Sequence, residues 1–161
     1  MLGPLFAVFA ERIGGTILDI SWAWSIYLVV TGILIMVVGK ISDVKVSKEK
    51  LMMAGYALNA VLTFGYLFVS TPLHLFFIQA GLGVAAALSS ATWSALYAKY
   101  GDPQKAGYMW GLAGGQAQLT TGIAIIVGGF IVNHFSFTVL FITMGIINVG
   151  AMIYQAQILR K

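Results

Sequence analysis

Residues 39–50 read GKISDVKVSKEK, and this stretch decides how the rest of the chain is understood. It sets Lys40, Lys45, Lys48 and Lys50 against Asp43 and Glu49, between two long apolar runs. Of the 161 residues, 60% are hydrophobic and only 9% are charged. Soluble domains hold about 25% charged residues, so this composition belongs in a bilayer. A charged island between apolar runs is then a loop at one membrane surface, and its sign says which surface.

On either side of the island the chain divides into crossings. A helix needs about 20 apolar residues to span the hydrocarbon. Residues 20–38 supply them, opening with Trp22 and Trp24, whose indoles favour the headgroup level. Residues 51–69 cross back, interrupted only by Asn59 and small residues. After a turn at Thr71-Pro72, residues 73–98 run to Lys99. A polar loop, Gly101-Asp102-Pro103-Gln104-Lys105, leads into residues 107–132. A turn at Asn133-His134 with Ser136 precedes the last span, 137–159, which ends in Arg160-Lys161.

The first apolar run is different. Met1 to Ala10 is too short to cross, and Glu11-Arg12 stop it. Residues 1–12 read as a partial span, the outer half of a helix whose inner half is missing. A truncated start, a fragment or a re-entrant helix would each produce it. Gly14-Gly15 then turn the chain, with Asp19 or Ser21 as the expected N-cap of the next helix. The prediction is an all-α polytopic transmembrane helix bundle, a single domain over residues 1–161 with five full spans and one partial span.

If every run crosses, Lys40, Lys45, Lys48, Lys50, Lys99, Lys105, Arg160 and Lys161 share one face, and only Arg12 lies on the other. The positive-inside rule places loop 2–3, loop 4–5 and the C-terminus in the cytoplasm, in the plasma (cell inner) membrane. The net charge of +4 flanks the apolar runs instead of lining one face, so it reports topology and not a nucleic-acid partner.

The chemistry of the residues excludes several classes. There is no cysteine, hence no disulfide and no thiolate metal site. His74 and His134 sit at span ends without partners at metal-ligand spacing, so neither a metal nor a cofactor is expected. No H-E-x-x-H, G-x-S-x-G or phosphate-binding loop occurs, and the glycine pairs 114–115 and 128–129 lie inside apolar helices. No catalytic residue is expected and no enzyme. The first run lacks a basic n-region, so it is not read as a cleavable signal peptide.

Inside the membrane, small and polar residues carry the information. Gly81, Ala85 and Ser89 lie four apart in span 4, and Gly107, Gly111 and Gly115 do so entering span 5. Such stripes let helix backbones approach, within the chain or across a dimer interface. Polar side chains are costly there unless paired or facing a wet cavity. Asn59 and Asn148 sit near mid-span, Gln79 and Trp93 lie in span 4, and Gln116 and Gln118 lie in span 5. These six are the solute-path candidates, with helix–helix hydrogen bonding as the alternative for the polar ones. Glu11 and Arg12 are expected to form an ion pair at the outer mouth. No Asp, Glu, Lys or Arg lies deep in a complete span, so no ion-coupling group is read.

The charged island also resembles the signature of the major facilitator superfamily, G-x-L-A-D-R-x-G-R-K, in the loop between spans 2 and 3. Gly39, Ile41 for Leu, Ser42 for Ala, Asp43 and Lys48 fit it, while Val44, Val46 and Ser47 replace Arg, Gly and Arg. Residues 81–86, GLGVAA, are similar to the G-x-G-A-A part of the family's span 4 motif, with Phe77 where that motif has an arginine. Gly128-Gly129 resemble the terminal glycine pair of the antiporter motif, with Ala124-Ile125 in place of its Gly-Pro.

The resemblance implies a six-helix half of a facilitator-type transporter. Such a half is built of inverted three-helix repeats, pairs with itself or with a second half, and works by alternating access on a small-molecule solute. It implies a conformational latch at Gly39, Asp43 and Lys48, with the Asp43 carboxylate able to cap a helix N-terminus. The uncharged interior, with its glutamines and aromatics, suits a neutral or weakly polar solute. The alternatives are a membrane assembly subunit that does not transport and a fragment of a twelve-span transporter. Surrounding lipid is the remaining expected partner.

Overall fold

The computed structural model describes residues 2–44 and 46–157. Six α-helices follow one another, with no strand among the described residues: α1 Leu5–Arg12, α2 Ile17–Val44, α3 Lys48–Gly65, α4 Pro72–Tyr100, α5 Ala106–His134 and α6 Phe137–Ala156. Five of them, α2 to α6, are long and apolar enough to cross a membrane. Of the basic residues assigned to one face, Lys45, Arg160 and Lys161 lie outside the described residues, as do positions 158 and 159 of the last span.

The helices start where polar side chains can satisfy the free N–H groups. Ser47, Thr71 and Ser136 cap α3, α4 and α6, each accepting a backbone N–H through its hydroxyl, and Pro72 occupies the first turn of α4. At α2 the expected cap is corrected. Neither Asp19 nor Ser21 is the N-cap, because α2 begins earlier at Ile17. Thr16 Oγ1 accepts from the Asp19 N–H at 3.3 Å, and the Asp19 carboxylate accepts from the Thr16 N–H at 2.8 Å. This reciprocal capping box satisfies two donors at once. Thr16→Ala is expected to lower stability by about 1 kcal/mol, read as a drop in unfolding midpoint in detergent.

Other boundaries shift for a simple reason: a helix does not stop at the edge of the hydrocarbon. α4 holds 29 residues, about 44 Å of helix, and outruns a core of about 30 Å. The region read as a polar loop contains a short 3₁₀ turn, Pro103–Lys105, capped by Asp102. Helix α1, with 8 residues, is about 12 Å long and cannot cross. At its C-terminus Gly14 adopts φ +81°, and the Gly15 N–H donates back to the Ala10 carbonyl, which ends the helix.

Helix α4 is the centre of the bundle, with α2 on one side and α3 on the other, while α6 packs on α3. Small residues make these approaches possible. A Cβ at Gly55 of α3 would stand 2.7 Å from the Ser89 backbone nitrogen, and one at Gly83 would stand 2.9 Å from the Tyr27 carbonyl of α2. The stripe Gly81, Ala85, Ser89 therefore packs within the chain, α4 against α3. The second stripe does not. Around Gly107, Gly111 and Gly115 nothing lies within 4 Å of a would-be Cβ, and the only buried residue of α5 is Gly128.

At the pole away from the lysines an aromatic core ties α1 down. Phe9 meets Phe141 edge-on at 4.8 Å, and Tyr66 stacks on Phe141 at 4.9 Å. The expected Glu11–Arg12 ion pair is corrected here. The Arg12 guanidinium lies over the Phe137 ring at 4.9 Å, and among the described residues the one ion pair is Lys48–Asp43. Adjacent residues on a helix point in different directions, so Arg12 pairs with a ring on α6 instead of its neighbour.

Candidate functional site

Along α4, Gln79, Leu82, Ala86, Ser90, Trp93 and Tyr97 follow one another at three- and four-residue spacing, which places them on one face. That face lines three cavities in succession. The first, about 350 Å³, lies between α2, α3, α4, α6 and the start of α1, at the level of Gln79 and Ala86. The second, about 850 Å³, lies between α4 and α5 and is lined by Ser90, Trp93 and Gln116. The third, about 310 Å³, closes the series at the lysine-rich end around Tyr97, Tyr100 and Gln155. The facing helix α3 keeps step, with Thr63 and Asn59 on the first cavity, Tyr56 on the second and Met52 on the third, and Tyr66, in the 3₁₀ turn that follows α3, also lines the first.

The sequence candidates divide between these spaces. Gln79, Asn59 and Asn148 meet at the first cavity, while Trp93 and Gln116 meet at the second. Gln118 is exposed on α5 and lines none of the three. The asparagines are hydrogen-bonded to each other. Asn59 Nδ2 donates to Asn148 Oδ1 at 3.0 Å, Asn148 Nδ2 donates to Thr63 Oγ1 at 3.0 Å, and Thr63 donates to the Asn59 carbonyl at 2.7 Å. This closed chain joins α3 to α6 and also forms part of the cavity wall.

Gln79 is placed differently. It is 3% exposed, and its described contact is with the Tyr66 hydroxyl, 3.5 Å from Oε1. In the second cavity Trp93 stacks on Tyr97 at 4.8 Å, Trp110 of α5 meets both rings edge-on, and the Tyr97 hydroxyl donates to the Met109 carbonyl at 2.8 Å. These contacts join α4 to α5 at the lysine-rich end.

At the charged island, Lys48 Nζ donates to Asp43 Oδ1 and to the Ser42 carbonyl, each at 2.9 Å. Asp43 is the more exposed partner, with its side chain 70% accessible against 23% for Lys48. The cap of α3 is Ser47, so here Asp43 bridges the turn between α2 and α3. Gly39 is in the last turns of α2, with open space about it. Among the described residues no group of three or more His, Asp or Glu is placed to hold a metal.

Tyr66, Thr63, Tyr56 and Tyr97 were not among the expected site residues. A signal for the first three existed: positions 56, 59, 63 and 66 share one helical face around Asn59.

The fold and this track define a polytopic, all-α integral membrane protein with a polar and aromatic seam inside its bundle. A profile of the Major Facilitator Superfamily matches residues 1–159. The chain belongs to that superfamily, whose members are membrane transporters of small solutes and not enzymes. No curated protein and no solved structure matches the chain significantly.

Proposed function

We propose that the chain carries a small solute across the plasma membrane by facilitator-type alternating access, as one half of a paired transporter. The observation that carries this reading is the run of three cavities on one face of α4, from Gln79 to Tyr100. Such a face gives a solute hydrogen-bonding and aromatic surface at every level of an otherwise apolar bundle. Membership of the superfamily supports alternating access as the mechanism. The lysine-rich pole is cytoplasmic by the positive-inside rule.

Pairing rests on α5. It is exposed along nearly its whole length, and its glycines at 107, 111 and 115 leave backbone open to a neighbour. A second copy or a second half fits there, closing the second cavity from its open side. The Asp43–Lys48 pair is then the latch, holding the turn in one conformation and breaking in the other. A membrane assembly subunit would use the same open α5 face but would not need water in the track.

Because the chain has no cysteine, each introduced cysteine is a unique reporter. Cysteines at Ser90 and Gln116 are expected to react with a membrane-impermeant thiol reagent in proteoliposomes, while one at Ile126 on the exposed face of α5 stays unreactive. Silent cysteines at both track positions would leave the assembly reading in place.

A further inference from the structure

We propose that the cavity at Gln79 is a binding site for an uncharged polyhydroxylated solute, held by the Gln79 carboxamide and the Tyr66 hydroxyl. This deepens the transport reading and rests on it for the route by which the solute arrives.

The argument begins with unmet hydrogen bonding. Gln79 and Tyr66 are 3% and 4% exposed, and their mutual contact is 3.5 Å. An O–H···O bond of full strength is about 2.5–3.0 Å long, so this contact satisfies neither group well. The Gln79 amide nitrogen donates to no described residue. Exchanging the two ends of the carboxamide changes nothing, because a single phenol can serve only one of them. The asparagines on the same wall are committed to Thr63 and to each other. Gln79 is therefore the side chain that a ligand would satisfy, and it offers an acceptor and two donors within reach of a hydroxyl that can do either.

The character of the ligand follows from the walls. Among the described residues no Asp, Glu, Lys, Arg or His lines this cavity, so a charged guest would find no charged side chain there to offset its desolvation. The same cavity is lined by Trp24, Tyr27 and Phe6, with Trp24 5.6 Å from Tyr27 and 5.8 Å from Phe6. Hydrogen-bonding groups and aromatic rings around one cavity suit a compact molecule with hydroxyls on its edge and C–H bonds on its face. A volume of about 350 Å³ admits a guest of cyclic-polyol size.

The test uses the full chain in nanodiscs and myo-inositol as probe, with inositol monophosphate as its charged counterpart. Binding is followed by equilibrium dialysis of labelled probe, and separately by the fluorescence of the chain's four tryptophans, of which Trp24 lines the cavity. Saturable binding of myo-inositol is expected, with the monophosphate bound at least about tenfold more weakly. Gln79→Leu is expected to weaken myo-inositol about tenfold. Leu119→Ala, on the exposed face of α5 and outside the cavity, is expected to bind as the parent does, and a monodisperse peak for Gln79→Leu in mild detergent shows that this variant folds. Non-saturable binding, equal binding of the monophosphate, or an unchanged affinity in a folded Gln79→Leu protein would each overturn the proposal. The thiol reactivity of Ser90→Cys and Gln116→Cys is measured on the same samples. Reactive cysteines with no polyol binding sink this inference and leave the transport reading standing. Gln79-dependent binding with silent cysteines supports this inference and sinks the transport reading.

Discussion

Gly55→Val is expected to cost about 3 kcal/mol, enough to remove the chain from the monodisperse fraction in mild detergent. The reason lies in what the new side chain meets. A Cβ at this position stands 2.7 Å from the Ser89 nitrogen and 2.9 Å from the Ala85 carbonyl, both backbone atoms of α4. Backbone in a helix cannot step aside as a side chain can, so α3 and α4 must separate along the contact. That contact carries the fold, because α4 is central and α6 reaches it through α3. The same substitution at Gly111 meets nothing within 4 Å and is expected to change monomer stability by no more than about 0.5 kcal/mol. Unfolding midpoints of the two variants side by side, each relative to the parent, read the difference. Equal midpoints would show that α3 and α4 do not approach as closely as described.

That pair of glycines also shows why the fold was only partly legible in the sequence. The number of crossings follows from run length, since hydrocarbon thickness sets one scale for every span. Which face of a span packs is another matter. In a membrane, lipid tails and protein neighbours are both apolar, so a helix that is apolar all round gives no sign of which side it buries. The small-residue stripes of α4 and α5 have the same spacing, yet Gly81 packs against Leu62 while Gly111 meets open space. Spacing alone cannot separate those cases.

Bulky polar and aromatic side chains drew attention to the cavities in most but not all cases, since Gln118 lines none of the three. Gln79, Trp93 and Gln116 stand out in apolar runs, and all three line cavities. Tyr66, Thr63 and Tyr56 escaped because tyrosine and threonine are ordinary residues of a membrane helix. They become conspicuous only when their common face is seen opposite α4. Asn59 and Asn148 are 89 residues apart and hydrogen-bond directly, a pairing that needs the three-dimensional arrangement to be known. Arg12 makes the reverse point. Its neighbour in sequence suggested an ion pair, but helix geometry turned it toward Phe137.

Ala86→Phe is expected to separate the first two cavities while leaving the bundle folded. Ala86 lines the Gln79 cavity, and Ser89 and Ser90, one turn further along α4, line the next. The stripe that touches α3 passes through Ala85, so the ring added at 86 goes into the cavity and not into the helix contact. A solute or reagent moving along the track must then squeeze past it. An overpacked contact costs about 1–3 kcal/mol, which on a passage barrier is a slowing of roughly five- to 150-fold. The measurement is the labelling rate of a cysteine at Leu82, a second wall residue of the first cavity. With reagent applied from the lysine-rich side, Ala86→Phe is expected to slow labelling by that factor, and Ala86→Ser to leave it unchanged. With reagent applied from the opposite side, both variants are expected to react like the parent. Slowing from one side only is the signature of a single connected path along α4. Equal rates from both sides in all variants would mean that the first cavity is reached by another route and that α4 does not line a path.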